Sequence, residues 1–485
     1  MRENPLHVAF VWNQHQPYYL DNESSVFIMP WVRLHAVKDY YQMAALLQRY
    51  PTLRQTFNLT PSLLSQLESY LNGTGDLYQQ AMKPAAELSD REKRFLLLHY
   101  FDIHWERVIG RIPRYRELLE KQGYRKEPAG IEEALARYTP QDYLDLQVWF
   151  NLAWIDPQIR EEDSFLAGLA AKGRDYTEEE KEVLMRKQRE IIAAIIPLHR
   201  ELLAAGQIEI MTTPFYHPIL PLIIDNRSAR AASPGIPLPR YFAYPEDARD
   251  QLVNALRQYR RLFGEKPPGL WPPEMAVSPE MVPMLADLGF RWTISDEGIL
   301  VKSLGVPIRR DEYGHVLNPT VLYQPYRVKI QGTSIDMVFR DHYLSDMIGF
   351  TYHDWQPVDA AANLVHRLLK IRENLKGSPG NFLVTISLDG ENPWEWYLND
   401  KKDFLNELYS RLSEESNLKT VTVAEYLREN PPRLSFSRLH TGSWVDHKVS
   451  RWIGTENKNV LWEYLARARS DFEKRRIEEQ DEQKL

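Results

Sequence analysis

The sequence predicts an α/β protein in which parallel strands curl into a barrel with helices outside. Three observations carry that expectation. Seven short strand-like runs alternate with helical stretches, several of their tips are polar or charged, and residues 382–389 show two unlike faces. The runs are 7–13, 55–59, 207–213, 269–271, 292–295, 335–339 and 382–388. In the last, Phe382, Val384, Ile386 and Leu388 share one face, and Leu383, Thr385, Ser387 and Asp389 share the other. A greasy outer face and an inner face that grows polar toward an acid suit a barrel strand ending at a reactive mouth.

Each run has its own punctuation. The tips are Asn13 with His15, Asn58, Glu209 with Thr213, Glu274, Asp296 with Glu297, Asp341 with His342, and Asp389. Prolines at 267, 268, 272 and 273 bracket Leu270 and Trp271, so that strand is very short and ends in a stiff turn presenting Glu274. Alternation turns Glu209 away from Ile208 and Ile210, toward the barrel interior. Between about 75 and 205 the pattern changes: helical apolar spacing and i,i+4 charge pairs run on with no strand candidates, which reads as a helical insertion. The barrel pattern ends near Pro431-Pro432. The expected organisation is therefore 1–430 as a catalytic barrel including the insertion, and 431–485 as a C-terminal helical region packing on it.

Composition narrows the class. The 485 residues are 43% hydrophobic and 26% charged, ordinary for a large globular core. The net charge of −7 offers no basic footprint for nucleic acid. There is no cysteine, so disulfides and thiolate metal sites are excluded. No run approaches the length of a membrane span, and the simplest reading is a cytoplasmic protein. Aromatic residues reach 12%, which fits carbohydrate stacking as well as a large core.

Carboxylates beside aromatic rings are what a sugar site requires: acids for proton transfer or attack, and flat rings for the C–H face of a pyranose. Glu274 stands beside Trp271, and Asp389 and Glu391 stand before Trp394. Residues alone leave Asp389 and Glu391 as alternatives for the acid. His15 is a ligand contact rather than a metal ligand, because Gln16 and Pro17 occupy the next positions. No metal site and no cofactor are expected.

Four segments resemble the conserved segments of glycoside hydrolase family 57. They are His15-Gln-Pro17, 206–209, Trp271-Pro-Pro-Glu274 and Leu388-Asp-Gly-Glu391, in that order, with 444–454 and 459–469 resembling its C-terminal helical region. The resemblance implies an incomplete (β/α)7 TIM-like barrel and retaining action on α-glucans. It implies Glu274 as nucleophile and Asp389 as general acid/base, without a cofactor. The remaining substrate contacts expected are His15, Glu209, His217, Trp271, Asp341, His342, Trp394 and Trp444. Apolar Trp394 and Trp396, with nearby carboxylates, are expected to raise the pKa of Asp389. The form of the fourth segment resembles the amylase and amylopullulanase branch, with α-1,4 and, as an open point, α-1,6 bonds as targets. The alternatives are a 4-α-glucanotransferase or branching enzyme using the same glycosyl-enzyme, a non-catalytic glucan-binding protein, and a metal-dependent deacetylase or mannosidase on a related barrel.

Overall fold

The computed structural model describes residues 4–124 and 127–482. All seven runs are strands: β1 (Leu6–Gln14), β2 (Gln55–Leu59), β3 (Ile208–Met211), β4 (Gly269–Leu270), β5 (Trp292–Asp296), β6 (Thr333–Arg340) and β7 (Leu383–Asp389). β1 lies between β7 and β2, parallel to both, with Asn13 opposite Asp389 on one side and Asn58 on the other. β2 pairs with β3, β4 with β5, and β5 with β6, again all parallel.

Two seams complete the ring. Between β3 and β4 there is a single parallel bridge, Thr212 to Leu270, with Trp271 N donating to Thr212 O at 2.8 Å. Between β6 and β7, Asp341 N donates to Thr385 O at 2.8 Å. β6 pairs along its other edge with the antiparallel strand Tyr326–Ile330, which in turn pairs with Leu434–Phe436. That added edge strand was not foreseen. It covers residues 333–337 on the β6 edge that β5 leaves free, and among the described residues no ladder joins β6 to β7, so the β-ladder is interrupted at this point.

Alternation sorts the side chains as expected for β7. Val384, Ile386 and Leu388, with Val8, Phe10 and Trp12 of β1, join the core between sheet and helices. Leu383, Ala9, Val11, Met211, Ile294 and Val338 fill the interior with Trp271 and Trp292. The foot of the barrel is plugged by the helix Val423–Glu429, whose Val423, Tyr426 and Leu427 join that interior cluster. β4 is only two residues long because its flanking prolines supply no N–H for a longer ladder.

Helices from Leu77–Gln80 to Glu178–Ala204 lie between β2 and β3 and share a second core rich in aromatic residues, including Tyr100, Tyr115, Trp149, Phe150 and Trp154. Several of their starts carry side-chain caps, such as Thr177 with Glu180 ahead of the last helix. Past the barrel, an antiparallel bridge from Gly442 to Val277 carries the chain back over the mouth before the helix Glu456–Glu482.

Candidate active site

The strand register builds one side of the site. Asn58, Asn13 and Asp389 stand at the same level on β2, β1 and β7. Asn58 Nδ2 donates to Asn13 Oδ1 at 2.7 Å, and Asn13 Nδ2 donates to Asp389 Oδ1 at 2.9 Å. Asn392 Nδ2 reaches the other oxygen, Asp389 Oδ2, at 2.9 Å. Partners on both oxygens fix the orientation of the Asp389 carboxyl group.

Glu274 forms the other side. It follows β4 with φ 57° and ψ 24°, and Met275 after it has φ 51°. Two successive left-handed residues that are not glycine cost about 1–3 kcal/mol each, so the turn is held by its surroundings. Trp444 is one such restraint. Its Nε1 donates to Glu274 Oε2 at 3.0 Å, and its backbone N donates to Glu274 O at 3.2 Å. Burial raises the pKa of Glu274, the nearby charge of Asp389 adds to that rise, and the Trp444 hydrogen bond and Arg451 oppose it. Each carboxylate is thus within electrostatic reach of the other, although they come from distant parts of the chain.

Two histidines flank the pair. The rings of His15 and His217 lie 4.0 Å apart at 35°. Burial lowers both pKa values; Asp389 partly offsets this for His15, and His15 depresses His217 further. Both are therefore neutral imidazoles near pH 7, able to donate and accept. His217 Nδ1 meets Thr213 Oγ1 at 3.2 Å, while its buried Nε2 has no partner.

The family model for glycosyl hydrolase family 57 matches residues 9–437. The chain belongs to that family. Among curated relatives, it is 24% identical to an alpha-amylase of Pyrococcus furiosus over 58% of this chain and 37% of that protein. It is also 24% identical to a 4-alpha-glucanotransferase of Thermococcus kodakarensis over 49% of this chain and 30% of that protein. The matches therefore span about a third of these relatives' length. The fold resembles that of a GH57-type branching enzyme from Pyrococcus horikoshii, with TM-score 0.58 and 16% identity over 94% of this chain and 76% of that one. An alpha-amylase from Thermotoga maritima gives TM-score 0.52 and 13% identity over 91% and 77%.

For this family 57 chain, four residues expected to touch substrate lie elsewhere. Glu209 points inward, as alternation required, but at the foot of the barrel. It accepts from Trp292 Nε1 and from Ala424 N, both at 2.8 Å, the latter in the first turn of the plugging helix. Burial raises its pKa to about 7. Trp271 is 0% exposed, its ring edge-on to Trp444 at 5.6 Å, so it supports Trp444 and offers no free face. Trp394 is also 0% exposed, because the chain turns outward at Gly390 and packs the indole against Trp12 outside the barrel. Asp341 is a buried helix cap, accepting from Leu344 N at 2.9 Å and Tyr323 OH at 2.7 Å.

His342 remains partly exposed but is held by acids. Its Nδ1 lies 3.0 Å from Asp296 and its Nε2 lies 2.8 Å from Asp346, and these bonds raise its pKa to about 10. It is therefore a cation. Trp394 does not wall Asp389, and burial raises the pKa values of Glu274 and Glu391. Glu391, the alternative to Asp389, is 2% exposed beneath His15, whose N lies 3.3 Å from Oε1. Burial and the charge of Asp389 raise its pKa well above the usual carboxylate range.

Sequence reading missed the support beneath Trp444. Arg340 Nε donates to Asp296 Oδ2 at 2.8 Å, its NH1 donates to Ser387 O at 3.1 Å, and its guanidinium stacks 5.0 Å from the Trp444 ring. His447 Nε2 lies 3.2 Å from the other Asp296 oxygen. Arg340 was adjacent to two residues singled out as a tip, yet nothing in the sequence marked it apart from them.

Proposed function

We propose that this family 57 chain is a retaining glycoside hydrolase of α-glucans, with Glu274 as nucleophile and Asp389 as general acid/base. One observation carries the reading: two carboxylates from distant segments share the barrel mouth, each with its own directed hydrogen bonds. Asp389 gives its proton to the leaving glycosidic oxygen while Glu274 attacks the anomeric carbon, forming a covalent glycosyl-enzyme. Asp389, now ionised, takes the proton of the incoming water, and the water oxygen displaces Glu274 with a second inversion.

The double displacement requires a proton on Asp389 and a charge on Glu274 in the productive complex. The Trp444 indole favours the charged form of Glu274 and thereby biases that proton toward Asp389. Neutral His15 and His217 supply donors and acceptors for the hydroxyls of the reacting ring. Trp444 bounds the site from the C-terminal segment.

The test is trapping with a 2-deoxy-2-fluoro or 5-fluoro glucosyl fluoride, followed by peptide mass analysis. The adduct is expected on Glu274, and an adduct on Asp389 would exchange the two roles. Glu274→Gln is expected to lower turnover of maltoheptaose, amylose and pullulan about a thousandfold or more, and azide is expected to restore part of the loss in Asp389→Asn. Full activity of both variants would remove the acid pair from the chemistry.

Transfer to a sugar acceptor is the second reading, and one observation favours it. Tyr18 and Tyr216 lie beside the two histidines, 5.3 Å apart and 39% and 54% exposed, offering apolar faces on which an acceptor ring can stack in place of water. Products longer than maltoheptaose would identify transfer, and new α-1,6 bonds would identify branching. Glucan binding without turnover would favour a non-catalytic binding protein.

A further inference from the structure

A cavity of about 730 Å³ lies between the helical insertion and the segment 394–400 that leaves β7. Its volume is within the roughly 300–1,000 Å³ of small-molecule pockets. Neither acid of the barrel mouth lines it, nor does either flanking histidine. Seven Lys and Arg side chains line it against four acids, Glu117, Glu161, Glu395 and Asp400.

Those acids are already engaged. Glu117 pairs with Arg114 at 2.5 Å and Arg174 at 3.3 Å, and Asp400 with Lys401 at 2.7 Å and Lys38 at 3.0 Å. Glu161 pairs with Lys402, and Glu395 lies 3.9 Å from His35. Two guanidiniums have no carboxylate in direct contact among the described residues. Arg111 meets only neutral acceptors, Leu398 O at 2.5 Å and Asn399 Oδ1 at 2.8 Å. The Arg160 side chain makes no hydrogen bond or ion pair among the described residues. Burial disfavours the charge of Arg160, Asp156, Asp400 and Glu161 only partly offset this, and Arg111 is close enough to add to the effect of burial.

We propose that this cavity binds a small organic phosphate, with Arg111 and Arg160 gripping the phosphoryl oxygens. Guanidinium forks match the oxygen spacing of phosphate, and two forks meeting one dianion relieve their mutual repulsion. The volume exceeds what a bare oxyanion fills, and His104, Glu395 and Asn399, which also line the cavity, provide polar partners for the hydroxyls of an attached sugar or nucleoside. The site is separate from glucan cleavage and stands whether or not the acid assignments above hold.

Calorimetric titration of the full chain tests it, with glucose 6-phosphate, AMP, inorganic phosphate, citrate and glucose as probes. Glucose 6-phosphate or AMP is expected to bind and raise the Tm, inorganic phosphate to bind more weakly, and glucose and citrate not to compete. Arg160→Gln is expected to weaken the ester at least about tenfold, the effect of losing one charge-assisted contact. That variant breaks no hydrogen bond or ion pair of the Arg160 side chain among the described residues, so its fold without ligand is expected to persist, read as a cooperative melt and an unchanged far-UV circular dichroism spectrum. Glu274→Gln retains ester binding. The proposal falls if no phosphate ester binds, if Arg160→Gln binds as tightly as the parent, or if inorganic phosphate or citrate binds as tightly as the esters.

Discussion

Trp444 holds Glu274 through two hydrogen bonds, one to the side chain and one to the backbone. Only the first is lost in Trp444→Phe. The indole lowers the pKa of Glu274, so its removal raises that pKa further, and the acid limb of kcat/KM is expected to move to higher pH. Where Glu274 must be ionised, the loss of a hydrogen bond to a charged group, about 1.5–3 kcal/mol, is expected to lower kcat/KM by roughly ten- to a hundredfold. A pH–rate profile checks both, and an unmoved acid limb would show that Trp444 only packs. At this scale the sequence was partly legible. Alternation put Asp389 on the inner face and Glu209 likewise, but it gives the face and not the height, so Glu209 was read as part of the mouth. For Trp394 even the face was hidden, because Gly390 reverses the chain just before it.

The short strand β4 shows how tightly one element is specified. A Cβ on Gly269 would lie 2.3 Å from the ring of Trp292, whose indole nitrogen is committed to Glu209. Gly269→Ala therefore cannot be absorbed by rotating Trp292 without breaking that bond. It is expected to cost about 1–3 kcal/mol of stability, read as a lowered denaturation midpoint at unchanged m-value. Elements with a strong local signal were legible: the seven inner strands each combine an apolar run with turn residues or a proline fence. Tyr326–Ile330, Leu418–Thr420 and Leu434–Phe436 were not, since short segments at the sheet's margin owe their strand form to a neighbour more than to their own pattern.

For the whole molecule, the buried charge at the barrel foot couples protonation to stability. Glu209 has a folded pKa of about 7 against an ordinary 4.5, so the native state holds a proton that the unfolded chain has released across that interval. Stability is therefore expected to fall as pH rises from about 4.5 to 7 and to level off above. Glu209→Gln should flatten that part of the Tm–pH curve, even though its amide faces a donor and lowers stability at every pH. An unchanged slope would mean that other groups set it. The global plan was legible because strand and helix patterns alternate along the chain, and three of the four family segments fall at strand tips, while 206–209 lies at the start of β3. The cation-rich cavity was not, since its wall is assembled from the insertion and the exit of β7, which no local pattern links.

The two seams divide the ring into slabs, one of β7, β1, β2 and β3, the other of β4, β5 and β6. Asp389 travels with the first slab and Glu274 with the second. A sugar esterified to Glu274 while hydrogen-bonded to Asp389 would act as a rivet between them. Amide protons at Trp271 and Asp341, the stitches across the seams, should then exchange with deuterium more slowly in a trapped glycosyl-enzyme than in the free protein, whereas those in mid-strand β1 should not change. Equal rates in both states would mean that the slabs already move as one.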